Sequence, residues 1–285
     1  MVGLCVYLGM VASAWVVQLV SPSSVPESEA EGLVFALVLG VGVCVRSGWG
    51  EVGGGTAVRA IGSGLLLFGC PSLLSVIPGG GLPSLVRVTL LAVGPVVVLL
   101  VRANREVGGR DFLGLLGAAL AGLAGVVLLL PVDVGVLVRR PVDGLVFGVV
   151  VVAIGVGGYL GHQAAAGLGI KPLVVLLLGP SFLLLCLSGA VHPSNLSVPK
   201  WGDVWGLLWG VGETVLLVRL IRTVPPVALA TRYLLVPLIT VVEGFAVMRP
   251  QISGRMVAGM ALVVLGSARL LLRGDGGDDS SVSLA

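Results

Sequence analysis

The chain has 285 residues, of which 56% are hydrophobic and 11% are charged, and its mean hydropathy is +1.12. An ordinary soluble domain carries about 25% charged residues, so the composition excludes a soluble globular domain, a disordered chain and a nucleic-acid-binding module. Four Cys are too few for a disulfide scaffold. Because a spanning helix needs about 20 residues to cross the hydrocarbon core, the length allows about ten spans and little else.

Apolar runs separated by short polar or Gly/Pro breaks follow one another along the chain. Backbone groups in lipid must be hydrogen-bonded within the protein, so each run is predicted to be a helix. The first run has no Lys or Arg before it, unlike a signal peptide, and is expected to be an uncleaved span. The sequence therefore predicts ten spans and a disordered tail, at residues 2–20, 32–48, 58–77, 82–102, 112–131, 143–161, 172–190, 203–222, 225–247, 253–273 and, for the tail, 274–285.

The basic residues predict the orientation of these spans, because cytoplasmic loops carry an excess of Lys and Arg. With ten spans both termini lie on one side, and the loops of that side hold ten basic residues against five on the other. Arg139 and Arg140, on the opposite side, are the main exception. We therefore expect an integral membrane protein with both termini in the cytoplasm.

The two halves of the chain form an internal repeat with an offset of 142 residues. The offset superposes Pro83 on Pro225, Thr89 on Thr231, Pro95 on Pro237 and Gly117 on Gly259. The predicted repeats are residues 1–131 and 143–273, joined by a loop at 132–142. Each repeat has an odd number of spans, so the second is inverted relative to the first, as in many transporters. A duplicated membrane protein without a transport role is the alternative.

The later part of each half carries Gly, Pro and small residues in a similar order. The landmarks are Gly81, Pro83, Pro95 and Gly117 in the first half, and Pro225, Pro237, Glu243, Gly259 and Gly266 in the second. In these motifs the chain resembles the drug/metabolite transporter (DMT) superfamily, and within it the EamA-type transporters. The resemblance implies an all-α membrane protein of ten transmembrane helices in two inverted five-helix repeats, with a substrate cavity between the repeats. It also implies efflux of amino acids or related compounds across a bacterial inner membrane.

Charged residues inside the predicted spans are costly in lipid and usually face a cavity or a partner. Glu213 lies at the middle of span eight, Arg232 well inside span nine, and Arg87 about a turn and a half inside span four. We expect the two Arg on the same face of repeat-equivalent helices. They would bind a carboxylate, and Glu213 would take an amine or a proton.

Helical spacing groups further residues with these charges. Trp205, Trp209 and Glu213 share a face of span eight, where Trp rings would cover an apolar group or a cation. Thr240 and Glu243 share a face with Arg232. The predicted substrate site is Glu213, Arg232, Trp209, Arg87, Tyr233, Thr240, Trp205 and Glu243. Pro95 and Pro237 are predicted gating kinks, because proline removes a backbone hydrogen bond.

Structural interpretations of the same residues stay open. Glu213 and Arg232 would form an ion pair, and Trp205 would be an anchor at the membrane interface. Glu243 would be solvated at the outer mouth, and the Arg87 side chain would snorkel to the membrane surface. Pro95 and Pro237 would be static packing kinks. His162 and His192 fall in predicted loops and are assigned no role. Close helix packing is predicted along three faces of small residues, namely Gly117/Ala121/Gly125, Ala153/Gly157/Gly161 and Gly206/Gly210.

The sequence contains no His-Glu-x-x-His motif, no Gly-x-Ser-Gly motif and no Walker loop. Two His and four scattered Cys do not form a metal site, so we expect no metal and no cofactor. The sequence favours a secondary transporter, a monomer or homodimer, whose partners are a small-molecule substrate, the lipid bilayer and protons, but not nucleic acid. The alternatives are a membrane-embedded enzyme of lipid intermediates and a non-transporting membrane assembly protein.

Overall fold

A computed structural model of the protein describes residues 2–20, 27–44, 52–76, 82–103, 109–130, 135–188, 201–248 and 253–273. Within these ranges helices are the only regular secondary structure. The predicted disordered tail at 274–285 and the predicted loop residue His192 lie outside the described residues.

Fourteen helices make up the described part of the chain. They are α1 Val2–Val20, α2 Glu27–Cys44, α3 Gly54–Gly64, α4 Cys70–Val76, α5 Ser84–Leu91, α6 Gly94–Ala103, α7 Gly109–Leu129, α8 Gly135–Arg139, α9 Pro141–Ala166, α10 Ile170–Leu187, α11 Trp201–Thr223, α12 Pro226–Ala230, α13 Arg232–Met248 and α14 Gly254–Arg273. A π-helical turn, Leu65–Gly69, joins α3 to α4.

Eight helical segments of the described chain are long and apolar enough to cross a membrane. They are Gly54–Leu73, Leu85–Ala103, Asp111–Leu129, Pro141–Ala166, Ile170–Leu187, Asp203–Thr223, Pro226–Phe245 and Gly254–Arg273. They overlap the third to tenth predicted spans. Shorter apolar segments, Val2–Ala14 and Ala30–Cys44, lie at the first two. The prediction of an all-α protein with membrane-spanning helices is confirmed.

The chain divides into two compact units. The first consists of Met1–Gly80 and Val156–Thr223, and the second of Gly81–Gly155 and Val224–Ala285. Each unit therefore takes residues from both halves of the sequence, and the long helix α9 contributes to both.

Small residues bring the backbones of the first unit close together. Gly64 of α3 leaves no room for a side chain, because a Cβ there would overlap the carbonyl group of Leu177 in α10. The Ser181 hydroxyl of α10 donates a hydrogen bond to the Gly64 carbonyl over 2.9 Å. The buried Ser63 hydroxyl donates to the Gly157 carbonyl of α9 over 2.7 Å. These hydroxyls find acceptors between helices, as buried polar groups in lipid must.

The helices α7 and α14 form the tightest contact of the second unit and run antiparallel. A Cβ on Gly125 would lie 2.7 Å from the Val263 amide nitrogen, and one on Gly259 would lie 2.8 Å from the Gly125 carbonyl. Nearer the other end of the contact, Gly266 lies against the backbone of Gly122. The contact therefore depends on residues without side chains.

The buried core of the second unit surrounds this helix pair. Its members come from α6, α7, α12, α13, α14 and the residues adjoining them, and are Ala92, Val98, Leu99, Leu115, Ala118, Ala119, Val126, Leu130, Val227, Ala230, Leu234, Val263 and Leu270.

The predicted faces of small residues are partly confirmed. Gly157 and Gly161 pack against α3 or its π-helical turn, and Gly210 packs against Val34 of α2. The prediction is wrong for Gly117 and Gly206, because a methyl group added at either would meet open space among the described residues. On α7 the prediction is confirmed for Gly125, and the glycine that shares its contacting face is Gly122 rather than Gly117.

Gly125→Ala should destabilise the second unit, whereas Gly117→Ala should not. The new methyl group at position 125 would press on the α14 backbone, and overpacking of this kind typically costs about 1–3 kcal/mol. The measurement is the free energy of unfolding of each variant in detergent. Equal stabilities of the two variants would contradict the packing described for α7 and α14.

Candidate functional site

Two helices of the second unit are interrupted within predicted spans, and the first interruption separates α5 from α6. The Val93 N–H bonds to the Leu90 carbonyl over 3.1 Å, and the N–H groups of Val96 and Val97 then both bond to the Val93 carbonyl. The hydrogen-bond ladder therefore restarts at Val93. Pro95 is the second residue of α6. The N–H groups of the first turn of a helix have no partner within the helix, so proline is tolerated there.

The second interruption separates α12 from α13 and has the same hydrogen-bond pattern. The Thr231 N–H bonds to the Ala228 carbonyl over 3.2 Å, and the N–H groups of Leu234 and Leu235 both bond to the Thr231 carbonyl. The Thr231 hydroxyl also donates to the Ala228 carbonyl over 2.6 Å. Pro237 lies six residues further on, inside the continuous helix α13. The interruption between α12 and α13 is therefore centred on Thr231.

Arg232 is the first residue of α13 and is buried, with 7% of its surface exposed. Its Nη2 donates a hydrogen bond to the Tyr233 hydroxyl. Its guanidinium carbon lies 4.6 Å from the centroid of the Tyr233 ring, within the range of a cation–π interaction. The structure thus places a cation at the interruption between α12 and α13, against the ring of the neighbouring Tyr233.

The Tyr233 ring also contacts the first residue of α6. A Cβ on the buried Gly94 would lie 2.8 Å from Cδ2 of the ring. The starts of α6 and α13, beside the two interruptions, therefore meet at this ring. Sequence reasoning missed Gly94, because nothing local distinguishes it among the 45 Gly of the chain.

The other predicted site residues of α13 lie apart from Arg232. Thr240 and Glu243 are half-buried. At a rise of 1.5 Å per residue they are about 12 Å and about 16 Å from Arg232 along the helix axis. About two helical turns therefore separate Thr240 from Arg232 on the same helix, and about three separate Glu243 from it.

Arg87 is exposed and lies in the first turn of α5, where its N–H bonds to the Pro83 carbonyl. Its burial therefore differs from that of Arg232, which we expected on the same face of the repeat-equivalent helix. The exposure fits the interpretation that the Arg87 side chain snorkels towards the membrane surface.

The predicted aromatic and acidic face of span eight belongs to the first unit. The Trp209 indole N–H of α11 donates to the Met10 carbonyl of α1 over 2.8 Å, while 41% of the residue stays exposed. Trp205 is 73% exposed, in the first two turns of α11. Glu213 is half-buried. Trp209 therefore joins two helices, and the exposure of Trp205 fits an interfacial anchor.

The prediction that His162 lies in a loop is wrong, because α9 extends to Ala166. The His162 Nδ1 lies 2.8 Å from the Ile221 carbonyl oxygen of α11. A carbonyl oxygen only accepts, so in this hydrogen bond Nδ1–H is the donor. Among the described residues, no three His, Cys, Asp or Glu side chains lie together as a metal site would need.

The comparisons with known proteins show a fold but no family. The sequence matches no family model and no curated protein. A solved crystal structure of a protein superposes on this chain with a TM-score of 0.68. The two chains are 18% identical, and the match covers 95% of this chain and 96% of that chain. At this identity the likeness shows a shared fold alone.

Trp209→Phe should lower the stability of the first unit, because it removes the indole donor to Met10. The loss of one such hydrogen bond is worth about 0.5–1.5 kcal/mol. Trp205→Phe is the matched control and should leave stability unchanged, since Trp205 is largely exposed. The free energies of unfolding in detergent measure both effects, and an equal loss in both variants would refute the structural role of Trp209.

Proposed function

We propose that the protein is a secondary transporter that exports small carboxylate-bearing metabolites, with amino acids and related compounds as its substrates. In this proposal it has ten spans in two inverted five-helix repeats, as EamA-type drug/metabolite transporters do. Both termini lie in the cytoplasm, on the side where the basic loop residues are in excess. A gradient of substrate or of protons drives the export, and Glu213 is the candidate proton carrier.

Apolar helices at the positions of the first two predicted spans support ten spans. Helix α1 has 19 residues, which extend about 28 Å at 1.5 Å per residue, close to the hydrocarbon thickness of about 30 Å. Helix α2 has 18 residues, but the first five include Glu27, Glu29 and Glu31, so its apolar part is shorter.

Matching local structure at equivalent positions supports the repeat. Pro83 and Pro225 are the N-caps of α5 and α12, with φ/ψ of −51°/143° and −56°/146°. Thr89 and Thr231, also 142 residues apart, both donate their hydroxyl hydrogen to a carbonyl of the preceding turn. The repeat-equivalent helices α7 and α14 run antiparallel, which is the arrangement that inverted repeats require.

One observation carries the transport function: a buried arginine lies at an interrupted span. An interruption leaves backbone groups without helical partners, which a membrane protein tolerates only inside the protein or beside a cavity. Transporters bind anionic substrate groups at such interruptions. The planar guanidinium of Arg232 suits the two oxygens of a carboxylate. The proposed carboxylate site is therefore Arg232 with Tyr233.

Transport by reconstituted protein tests this function. Each of the twenty proteinogenic L-amino acids is offered to proteoliposomes beside its C-terminal amide, which lacks the carboxylate. We expect transport of at least one amino acid and rejection of its amide. A charge-assisted hydrogen bond is worth about 1.5–3 kcal/mol, so Arg232→Gln should raise KM about 10- to 100-fold, and Arg232→Lys should raise it less.

Arg273→Gln is the matched control, because Arg273 is exposed at the end of α14 in the same unit. It should transport as the wild type does. Size-exclusion chromatography in detergent checks that each variant is folded. Transport of acid and amide at the same rate, a wild-type KM in Arg232→Gln, or no transport of any amino acid would refute the proposal.

A further inference from the structure

The contact between Gly94 and the Tyr233 ring is tight. A Cβ built on Gly94 lies 2.8 Å from Cδ2, 3.3 Å from Cε2 and 3.5 Å from Cγ of the ring. Carbon atoms in good contact are about 3.5–4.0 Å apart, so any side chain at position 94 would displace the ring. Because Gly94 begins α6 immediately after the interruption, the ring lies against the end of that helix.

The position of the ring is coupled to the position of the Arg232 guanidinium in two ways. The Tyr233 hydroxyl accepts a hydrogen bond from Nη2, and the face of the ring attracts the cation. A displacement of the ring would therefore move or release the guanidinium. Bidentate recognition of a carboxylate is sensitive to such movement, because binding groups must be held within about 0.5 Å of their productive geometry.

We propose that Gly94 is a positioning residue for substrate binding. In this inference, which rests on the proposed function, the missing side chain lets the Tyr233 ring lie on α6, and the ring holds the Arg232 guanidinium where it meets the substrate carboxylate. Gly94 does not contact the substrate. It acts through Tyr233, and it couples the start of α6 to the anion site at the start of α13.

A double-mutant cycle tests the coupling. It compares wild type, Gly94→Ala, Tyr233→Ala and the double variant, with Gly117→Ala as a control glycine that faces open space among the described residues. The probe is the L-amino acid that wild type transports fastest in the panel above. KM, Vmax and the unfolding temperature without substrate are measured in each case.

We expect Gly94→Ala to raise KM about tenfold, which corresponds to about 1.4 kcal/mol, with Vmax within about twofold and with Gly117→Ala like wild type. Once the ring is removed by Tyr233→Ala, the methyl group at position 94 has nothing to displace. Gly94→Ala should then change KM less than about twofold, which is the mark of coupled residues. A purely structural role would lower the unfolding temperature and leave KM unchanged.

The inference is overturned if Gly94→Ala has the wild-type KM, or if its full effect persists in the Tyr233→Ala background. Should Gly94→Ala not fold, Tyr233→Ala provides the deciding test. It removes both the hydroxyl acceptor and the ring face that hold the Arg232 guanidinium, so an unchanged KM in this variant overturns the inference. The proposed function fails separately, when wild type itself transports no amino acid or does not distinguish acids from amides.

Discussion

A lipid bilayer offers no water to backbone N–H and C=O groups, so each such group in a span must find its partner within the protein. This constraint explains why helices are the only regular structure in the described part of the chain. It also means that the backbone groups freed by the interruptions at Val93 and Thr231 must find partners within the protein. Both are bridged by short-range backbone bonds, and each adds a local device: Pro95 has no N–H to satisfy, and the Thr231 hydroxyl bonds to the preceding turn.

The same environment explains how the helices are held together. Lipid tails are as apolar as Leu, so helices associate through close packing and interhelical hydrogen bonds rather than through burial from water. Gly64 lets α3 touch α10, and Gly125 and Gly259 let α7 touch α14. Gly94 also allows close packing because it has no side chain, but its neighbour is the Tyr233 ring, which contacts the buried Arg232 guanidinium. One residue type thus serves packing in most places and, in our proposal, substrate recognition in one.

Hydropathy alone predicted the positions of the eight long apolar helices, which overlap the third to tenth predicted spans. This was possible because the thickness of the bilayer sets the length of a span. Details that depend on tertiary contacts were not predictable. His162 lies within α9 because that helix extends beyond its most apolar part. Charge alone singled out both Arg232 and Arg87, but only their surroundings in the fold make Arg232 buried and leave Arg87 exposed. Gly94 contacts the ring of Tyr233, which is distant in sequence, so no local pattern could reveal this contact.

The opposite orientation of the two repeats is the claim on which alternating access depends. Asp111 and Ser253 are both exposed, lie 142 residues apart and stand at the starts of α7 and α14. In a chain whose four native Cys are replaced by Ser, Asp111→Cys and Ser253→Cys can be labelled with a membrane-impermeant maleimide in intact cells and in inverted vesicles. Inverted repeats predict labelling of position 253 only in cells and of position 111 only in inverted vesicles. Labelling of both positions from the same side would contradict the inverted architecture.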